Sequence, residues 1–244
     1  MKFSVCIPTL NEEKYINGIL GCLEKQTFRD FEVIVVDGKS KDGTKKEVLS
    51  YSDKLPLTFI ESPKRGVSFQ RNYAAKHAKN EYVIFFDADI HIEPDFLEKI
   101  NHHLEKNDID ILTTWHKPIS DKPVDEFLYL FMNIFMLELI KKKSPGACGV
   151  FICVRKSSFE KIGGFRESIS LGEDYDLSKR LHESGFTYAL LRKPKVKVSV
   201  RRFDKEGRFN VVKKNVRAAM YYLTDRENYI DKIQGKFEHE FGKF

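Results

Sequence analysis

No stretch of this chain holds the roughly 18 consecutive apolar residues that a membrane-crossing helix needs. The nearest candidate, Phe127 to Ile140, is broken by Asn133 and Glu138, and its fourteen residues at 1.5 Å each would span about 21 Å. Cysteine is sparse: Cys6, Cys22, Cys148 and Cys153 show no C-x-x-C spacing. That argues against a disulfide framework or a thiolate zinc site, and for reduced thiols in a reducing compartment. Pro8 breaks the first apolar run too early for the core of a signal peptide, so a cytoplasmic location is expected. The G-x-x-x-x-G-K-[ST] motif of P-loop NTPases is absent. Pro8-Thr9-Leu10-Asn11 stands where a nucleotidyltransferase would carry a glycine-rich phosphate loop. Net charge is only +6 over 244 residues, and the basic residues are scattered until the C-terminal part. Nothing therefore nominates a nucleic-acid partner. Glutamine is scarce beside abundant Lys and Glu, a balance of the thermophilic kind. There is no internal repeat and no low-complexity linker.

What is present is a succession of short apolar runs alternating with amphipathic segments. Strands are expected at Phe3–Ile7, Phe31–Val36, Leu57–Ile60, Val83–Phe86, Ile109–Trp115, Gly149–Val154, Thr187–Leu191 and Val196–Val200. Helices are expected from about Glu12 to Gln26 with Asn11 as cap, after Thr44 with Glu47 completing a capping box, from Val67 to Ala78, from Pro94 to Lys106, from Ser157 to Ile162, and from Gly172 to Ser184. A last amphipathic helix carries Phe209, Val212, Val216, Met220 and Leu223 on one side, with Lys213, Lys214 and Arg217 opposite. Repeated β-α units imply a parallel sheet with right-handed crossovers. Phe127–Ile140, closed by Lys141-Lys142-Lys143, reads either as a buried or dimer-forming helix or as one lying in a membrane interface with its lysines on lipid phosphates.

Val83-Ile84-Phe85-Phe86 reads as a strand buried on both faces, ending on Asp87-Ala88-Asp89. Alternate residues of an extended chain share a face, so both carboxylates can enter one space. At the carboxyl end of a parallel strand such a pair suits Mg²⁺ or Mn²⁺ holding a diphosphate; a turn is the plainer alternative. Asp174, Leu177 and Leu181 share one helix face. Asp174 thus heads a stripe that must face the core, where a carboxylate needs a partner or a task. A base is plausible there, although acids are common in any first helical turn. Asp176 and Arg180 read as an i,i+4 surface pair. Asp37 ends a central strand and could accept from a nucleobase or a ribose. Lys64, Arg65 and Arg71 could reach phosphates.

Taken in order, Ile7-Pro8-Thr9-Leu10-Asn11-Glu12, Val36-Asp37-Gly38-Lys39-Ser40-Lys41-Asp42-Gly43-Thr44, Arg65-Gly66 with Arg71-Asn72, Asp87-Ala88-Asp89, Ile162-Gly163-Gly164-Phe165 and Gly172-Glu173-Asp174-Tyr175-Asp176-Leu177 resemble the family 2 glycosyltransferases of the GT-A fold. The resemblance covers about residues 3 to 200. It implies a single α/β GT-A domain over 1–204, with a mostly parallel central sheet flanked by helices, and a C-terminal helical extension over 205–244. It also implies inverting transfer from a UDP- or GDP-linked sugar. Carried over by position, Thr9 and Asp37 would hold the base, Pro8 would shape that pocket and Glu12 would sit near the ribose. Arg71 would lie by the base or the diphosphate. Asp87 would face the ribose or a metal-bound water, Asp89 would bind Mn²⁺ or Mg²⁺, and Asp174 would be the general base. Asn11, Gly66, Ala88 and Glu173 would complete the nucleotide-sugar site.

The chain departs from the family pattern in two respects. It has no Gln-x-x-Arg-Trp motif, which argues for adding one sugar at a time. No histidine follows Asp174 to complete a metal shell; Val198-Ser199-Val200-Arg201-Arg202 stands in that region, with Arg201 and Arg202 as partial replacements. The acceptor stays open between a glycan or protein hydroxyl and a polyprenyl phosphate. The lipid case would place the protein at the cytoplasmic face of the membrane.

Overall fold

The computed structural model describes residues 3–139, 141, 145–146, 149–169 and 172–223, the side chains of 218–223 excepted. Ile140, Lys142, Lys143, Cys148, the side chains of Met220 and Leu223, and the extension beyond 223 lie outside the described residues.

β1 (Phe3–Thr9), β2 (Phe31–Asp37), β3 (Leu57–Glu61) and β4 (Tyr82–Phe86) pair in parallel in the order β3-β2-β1-β4. The helices α1 (Ile16–Glu24), α2 (Thr44–Leu49) and α3 (Val67–His77) make their crossovers. The sheet then changes sense. β7 (Phe151–Arg155) runs antiparallel to both β4 and β6 (Ile111–Ile119). β8 (Tyr188–Ser199) pairs in parallel with β6 and antiparallel with the two-residue β5 (Ile90–His91) at the edge. The sheet is mixed, with its parallel half carrying the first four strands.

Strand residues alternate between two cores, which is why the strands read as continuous apolar runs. Val5 and Ile7, Ile84 and Phe86, and Phe151 and Cys153 face α1, α4 (Phe96–Lys106) and α5 (Pro123–Met132). Cys6, Val83, Phe85, Ile152 and Val154 face α3, α6 (Lys156–Lys161) and α7 (Glu173–Glu183). Each such side chain contributes about 1.5–3 kcal/mol when fully buried. The result is a helix–sheet–helix sandwich.

Several local expectations are overruled by tertiary bonds. Asn11 is not a helix cap: it adopts φ 57°, its amide donates to Ser40 Oγ at 2.8 Å, and its Oδ1 accepts from the Lys41 amide at 2.9 Å. α1 accordingly starts later, at Ile16. Thr44 does not close a capping box; its Oγ1 accepts from the Glu12 amide at 2.8 Å, while Glu47 takes Asn17. The two strands expected between Thr187 and Val200 are one, β8, which runs through a cis Lys193–Pro194 peptide.

The Phe127–Ile140 segment is two elements: α5 ends at Met132 and a π-helical stretch, Asn133–Leu139, follows. It is neither wholly buried nor wholly exposed. Leu128, Tyr129, Asn133, Met136 and Leu137 point inward, while Phe127 and Leu139 stand 67% and 68% exposed. No helix among the described residues is long and apolar enough to cross a membrane. After α8 (Arg201–Glu206), α9 (Arg208–Leu223) packs back on the domain through Val211, not through Phe209, which is 75% exposed.

Candidate active site

The site is built mainly where strands end. Pro8 lies next to the end of β1, Asp87 to Asp89 follow β4, Gly149 and Val150 precede the reversed β7, and Ser199 ends β8. With the start of α7 and of α8, they border a cleft of about 270 Å³. Pro8, Glu12, Arg71, Asp87, Ala88, Asp89, Glu173 and Asp174 all line it; Thr9, Asn11, Asp37 and Gly66 do not.

Asp87 and Asp89 do not project from an extended strand. β4 stops at Phe86, and the chain turns through Ala88 and Asp89 into β5. Each aspartate meets its own arginine. Arg71, 2% exposed, places Nη2 2.8 Å from Asp87 Oδ1 and Nη1 2.8 Å from Glu173 Oε1, and also donates to the Gly149 carbonyl at 3.1 Å. Phe165 lies under its guanidinium at 5.4 Å. Arg201, at the start of α8, forks onto Glu12 at 2.8 and 2.9 Å, places Nε 2.9 Å from Asp89 Oδ2, and stacks on Tyr15 at 4.4 Å. Two arginines thus tie together four carboxylates drawn from widely separated parts of the chain.

Asp174 sits half-buried in the first turn of α7, after Gly172 has turned the chain at φ 81°. Leu177 and Leu181 behind it are fully buried, as the periodicity requires. Its Oδ2 accepts from the Gly149 amide at 2.6 Å and its Oδ1 from the Tyr175 amide at 2.8 Å. A side chain at Gly149 would displace the Arg71 guanidinium, because its Cβ would lie 2.9 Å from Nη2. Burial, reinforced by Glu173 and opposed by Arg71 and the two amides, pushes the Asp174 carboxyl up to about 7. Burial likewise raises Asp89 to about 6, with Arg201 pulling against it and Asp87 and Glu12 adding to it.

Asp37 and Thr9 pair across β1 and β2. Asp37 accepts from Thr9 Oγ1 at 3.0 Å and from the Ser40 amide at 2.8 Å, and is 3% exposed. Gly66 opens α3 at φ 135°. Lys64 and Arg65 are turned to structural tasks: Lys64 pairs with Glu167 at 2.6 Å, and Arg65 donates to the Gly38 and Lys39 carbonyls. Asp176 and Arg180 form the expected i,i+4 pair, at 2.8 Å, but not at the surface. Asp176 is 4% exposed, and Arg180 donates to the Ile162 and Gly164 carbonyls, fixing the glycine turn against α7.

The structure also brings to the cleft residues that motif reading passes over: His116, Tyr129, Met132, Asn133 and Met136. The one sequence signal for them was Asn133, a polar interruption in an apolar run. Its side chain is clamped on the His116 backbone, Oδ1 accepting from the amide at 2.9 Å and Nδ2 donating to the carbonyl at 2.8 Å.

Among the described residues no group of three or more His, Cys, Asp or Glu is gathered as a metal shell. The cleft nevertheless carries an acidic excess, with five carboxylates against the three guanidiniums of Arg71, Arg201 and Arg202. Mg²⁺ and its like commonly take one or two protein carboxylates and complete their shell with water and substrate phosphate. The donor set fits such an ion.

The model of glycosyl transferase family 2 matches residues 4–163. The poly(ribitol-phosphate) β-N-acetylglucosaminyltransferase TarS of Staphylococcus aureus is 37% identical over 133 residues, which are 53% of this chain and 23% of TarS, so the chain spans only a fraction of that relative. An uncharacterized glycosyltransferase of Haemophilus influenzae is 27% identical over 237 residues, covering 95% of this chain and 78% of its own length. Among solved structures, S. aureus TarS 1–349 in complex with UDP-GlcNAc superposes with a TM-score of 0.68 at 26% identity, over 82% of this chain and 59% of that one. The mannosyltransferase PcManGT of Pyrobaculum calidifontis, solved with GDP-Man and Mn²⁺, shares the fold with a TM-score of 0.71 at 22% identity, over 96% and 73%. The GT-A fold expected from the motifs is the one these structures share, and with a family model spanning well over half of its 244 residues, the chain belongs to glycosyl transferase family 2.

Proposed function

We propose that the protein transfers a single sugar, with inversion, from a nucleotide-diphosphate sugar to an acceptor hydroxyl. The observation that carries this reading is Asp174: a carboxylate pinned by the Gly149 and Tyr175 amides, set to titrate at about 7, in the same cleft as Asp87, Asp89, Arg71 and Arg201. A base near neutral pH combines a useful deprotonated fraction with real proton affinity. Asp174 would take the proton of the acceptor hydroxyl as its oxygen attacks the anomeric carbon. The bond to the diphosphate breaks on the opposite side of the sugar, which inverts the centre.

Arg71 and Arg201 would offer guanidinium donors to the departing diphosphate, whose charge rises as the bond breaks. Asp89, with Asp87 beside it, would hold Mg²⁺ or Mn²⁺, which when bound supplies Lewis-acid neutralisation of that charge. Asp37 and Thr9 would lie under the base, with Asn11, Gly66 and Pro8 shaping its loop and Glu12 toward the ribose. The relative solved with UDP-GlcNAc supports a UDP-linked donor.

A second reading is favoured by the outer face of α5 and the π-helical stretch. Leu130, Phe131 and Ile134 are each at least 40% exposed beside the cleft-lining Tyr129, Met132 and Met136. That face would suit an enzyme working at a membrane on a lipid phosphate, an acceptor already ionised and in no need of Asp174. Flotation with lipid vesicles separates the two: a protein that stays with the soluble fraction at low salt excludes the membrane reading.

A thermal-shift screen of UDP- and GDP-sugars, with Mn²⁺ and with chelator, tests the main proposal. A ligand that binds only the native state raises apparent stability. A rise of several degrees for one nucleotide sugar is expected; no response to any of them would overturn it.

A further inference from the structure

We propose that His116 Nε2 hydrogen-bonds a carbohydrate hydroxyl brought into the cleft, making it a specificity residue for the sugar rather than for the nucleotide. The proposal rests on the nucleotide-sugar reading above. His116 lies on β6, where the pairing with β8 shifts register between Thr114 and His116. His116 lines the cleft and is 8% exposed, and its Nε2, itself shielded from solvent, has no hydrogen-bond partner. A buried polar atom left unpaired is costly and needs an explanation.

The backbone that carries the ring is held in place. Both backbone polar groups of His116 are taken by the Asn133 side chain, at the first residue of the π-helical stretch. Such wide turns recur at functional sites. The neighbouring wall is apolar: Met136 packs on Tyr175, and Met132 joins them. Burial pushes the imidazole down to about 4, so the ring is neutral at physiological pH. One neutral donor or acceptor in an otherwise apolar wall suits a hydroxyl and disfavours a phosphate. Tyr175 follows Asp174 directly, which sets this wall beside the proposed reaction centre.

The hydroxyl comes either from the transferred sugar or from a sugar acceptor, and the test separates them. Binding of UDP and of the nucleotide sugar that stabilises the wild type is measured by calorimetry for wild type, His116→Phe and His116→Gln. Free monosaccharides and ribitol are then titrated by NMR with UDP present. Phe keeps the shape and removes the polar atom; the Gln amide nitrogen can reach the place of Nε2.

If the donor sugar is the partner, His116→Phe binds UDP unchanged but loses about tenfold in affinity for the nucleotide sugar, and Gln restores part. If the acceptor is the partner, donor affinity stays and the monosaccharide or ribitol signal falls. Unchanged binding of all ligands by a folded His116→Phe overturns the proposal. So does an equal loss for UDP and nucleotide sugar, which marks a structural role. A wild type that binds no nucleotide sugar indicts the function itself.

Discussion

Asp89 Oδ2 and Arg201 Nε stand 2.9 Å apart, and the same guanidinium is forked onto Glu12. The turn after β4 is thereby bound to the start of α8, and Arg201 stands beside Asp89 where the proposed cation would have to enter. Removing one partner of such a pair leaves a charge both buried and unmatched, which costs more than the pair itself contributes.

Arg201→Met should therefore lower stability by about 3 kcal/mol in chelator. Mn²⁺ should recover part of that loss, because it can neutralise the freed carboxylates. The check is thermal melting with and without Mn²⁺. A variant whose midpoint responds to Mn²⁺ no more than the wild type's would remove Asp89 from the set of metal ligands. Asp89→Ala should lose the metal-dependent part of nucleotide-sugar binding.

Asp174 makes a prediction about pH. Its carboxyl is raised to about 7 in the folded protein, against about 3.9 in an unfolded chain. The folded state thus holds the proton more tightly. The stabilisation is fully present below about pH 4 and is lost as pH climbs through 7. Asp174→Asn has no such dependence at this site, so it should gain on the wild type between pH 4 and 8 by on the order of 1–3 kcal/mol. Turnover with a hydroxyl acceptor should rise through about pH 7 in the wild type and fall by roughly 10²–10⁴-fold in the variant. Denaturant melts across pH and a pH–rate profile read the two effects. Normal turnover by Asp174→Asn would exclude it as the base.

Arg71 is a different case, because it is 2% exposed and serves Asp87, Glu173 and the Gly149 carbonyl together. Arg71→Met should cost about 3–5 kcal/mol. Arg71→Lys should recover little, since one ammonium cannot reproduce the planar fork. Adding Asp87→Asn and Glu173→Gln to Arg71→Met should return stability that the single change lost. Additive losses in that cycle, measured by urea melts, would show that the three side chains are not coupled.

The proposed division at 204/205 can be tested through Arg208. Its Nε reaches Asp125 Oδ1 at 2.6 Å, and Asp125, on α5, is fully buried. Truncation ahead of Lys205 should leave a folded domain that still binds UDP, with a melting temperature lowered by several degrees. Arg208→Ala alone should account for about 2 kcal/mol of that, because Ser120 remains as a partner for Asp125. Loss of the whole cooperative transition on truncation would make the C-terminal helices part of the domain.

Sequence legibility followed the range of the forces involved. Strands β1, β2 and β4 announced themselves as unbroken apolar runs because they are covered on both faces, and Leu177 and Leu181 were placed inside by spacing alone. The turn at Gly172 and the acids of α7 were equally plain. Asn11 and Thr44 misled because each has a local role that its residue type favours, and each is recruited by a partner far away: Ser40 and Glu12 respectively. The π-helical stretch was hidden in the same way, since its first residue sends its side chain to the backbone of His116 on a distant strand.

By itself the sequence determined the helix–sheet–helix layering, the order of the β-α units and the carboxylates placed where strands end or helices begin, because short-range periodicity and turn chemistry are written in neighbouring residues. Only the tertiary structure decided that Asp87 answers to Arg71, Asp89 to Arg201 and Asp174 to Gly149, and that His116 enters the cleft at all. Those pairings join distant segments, and the packing that enforces them has no signature in any one stretch of chain.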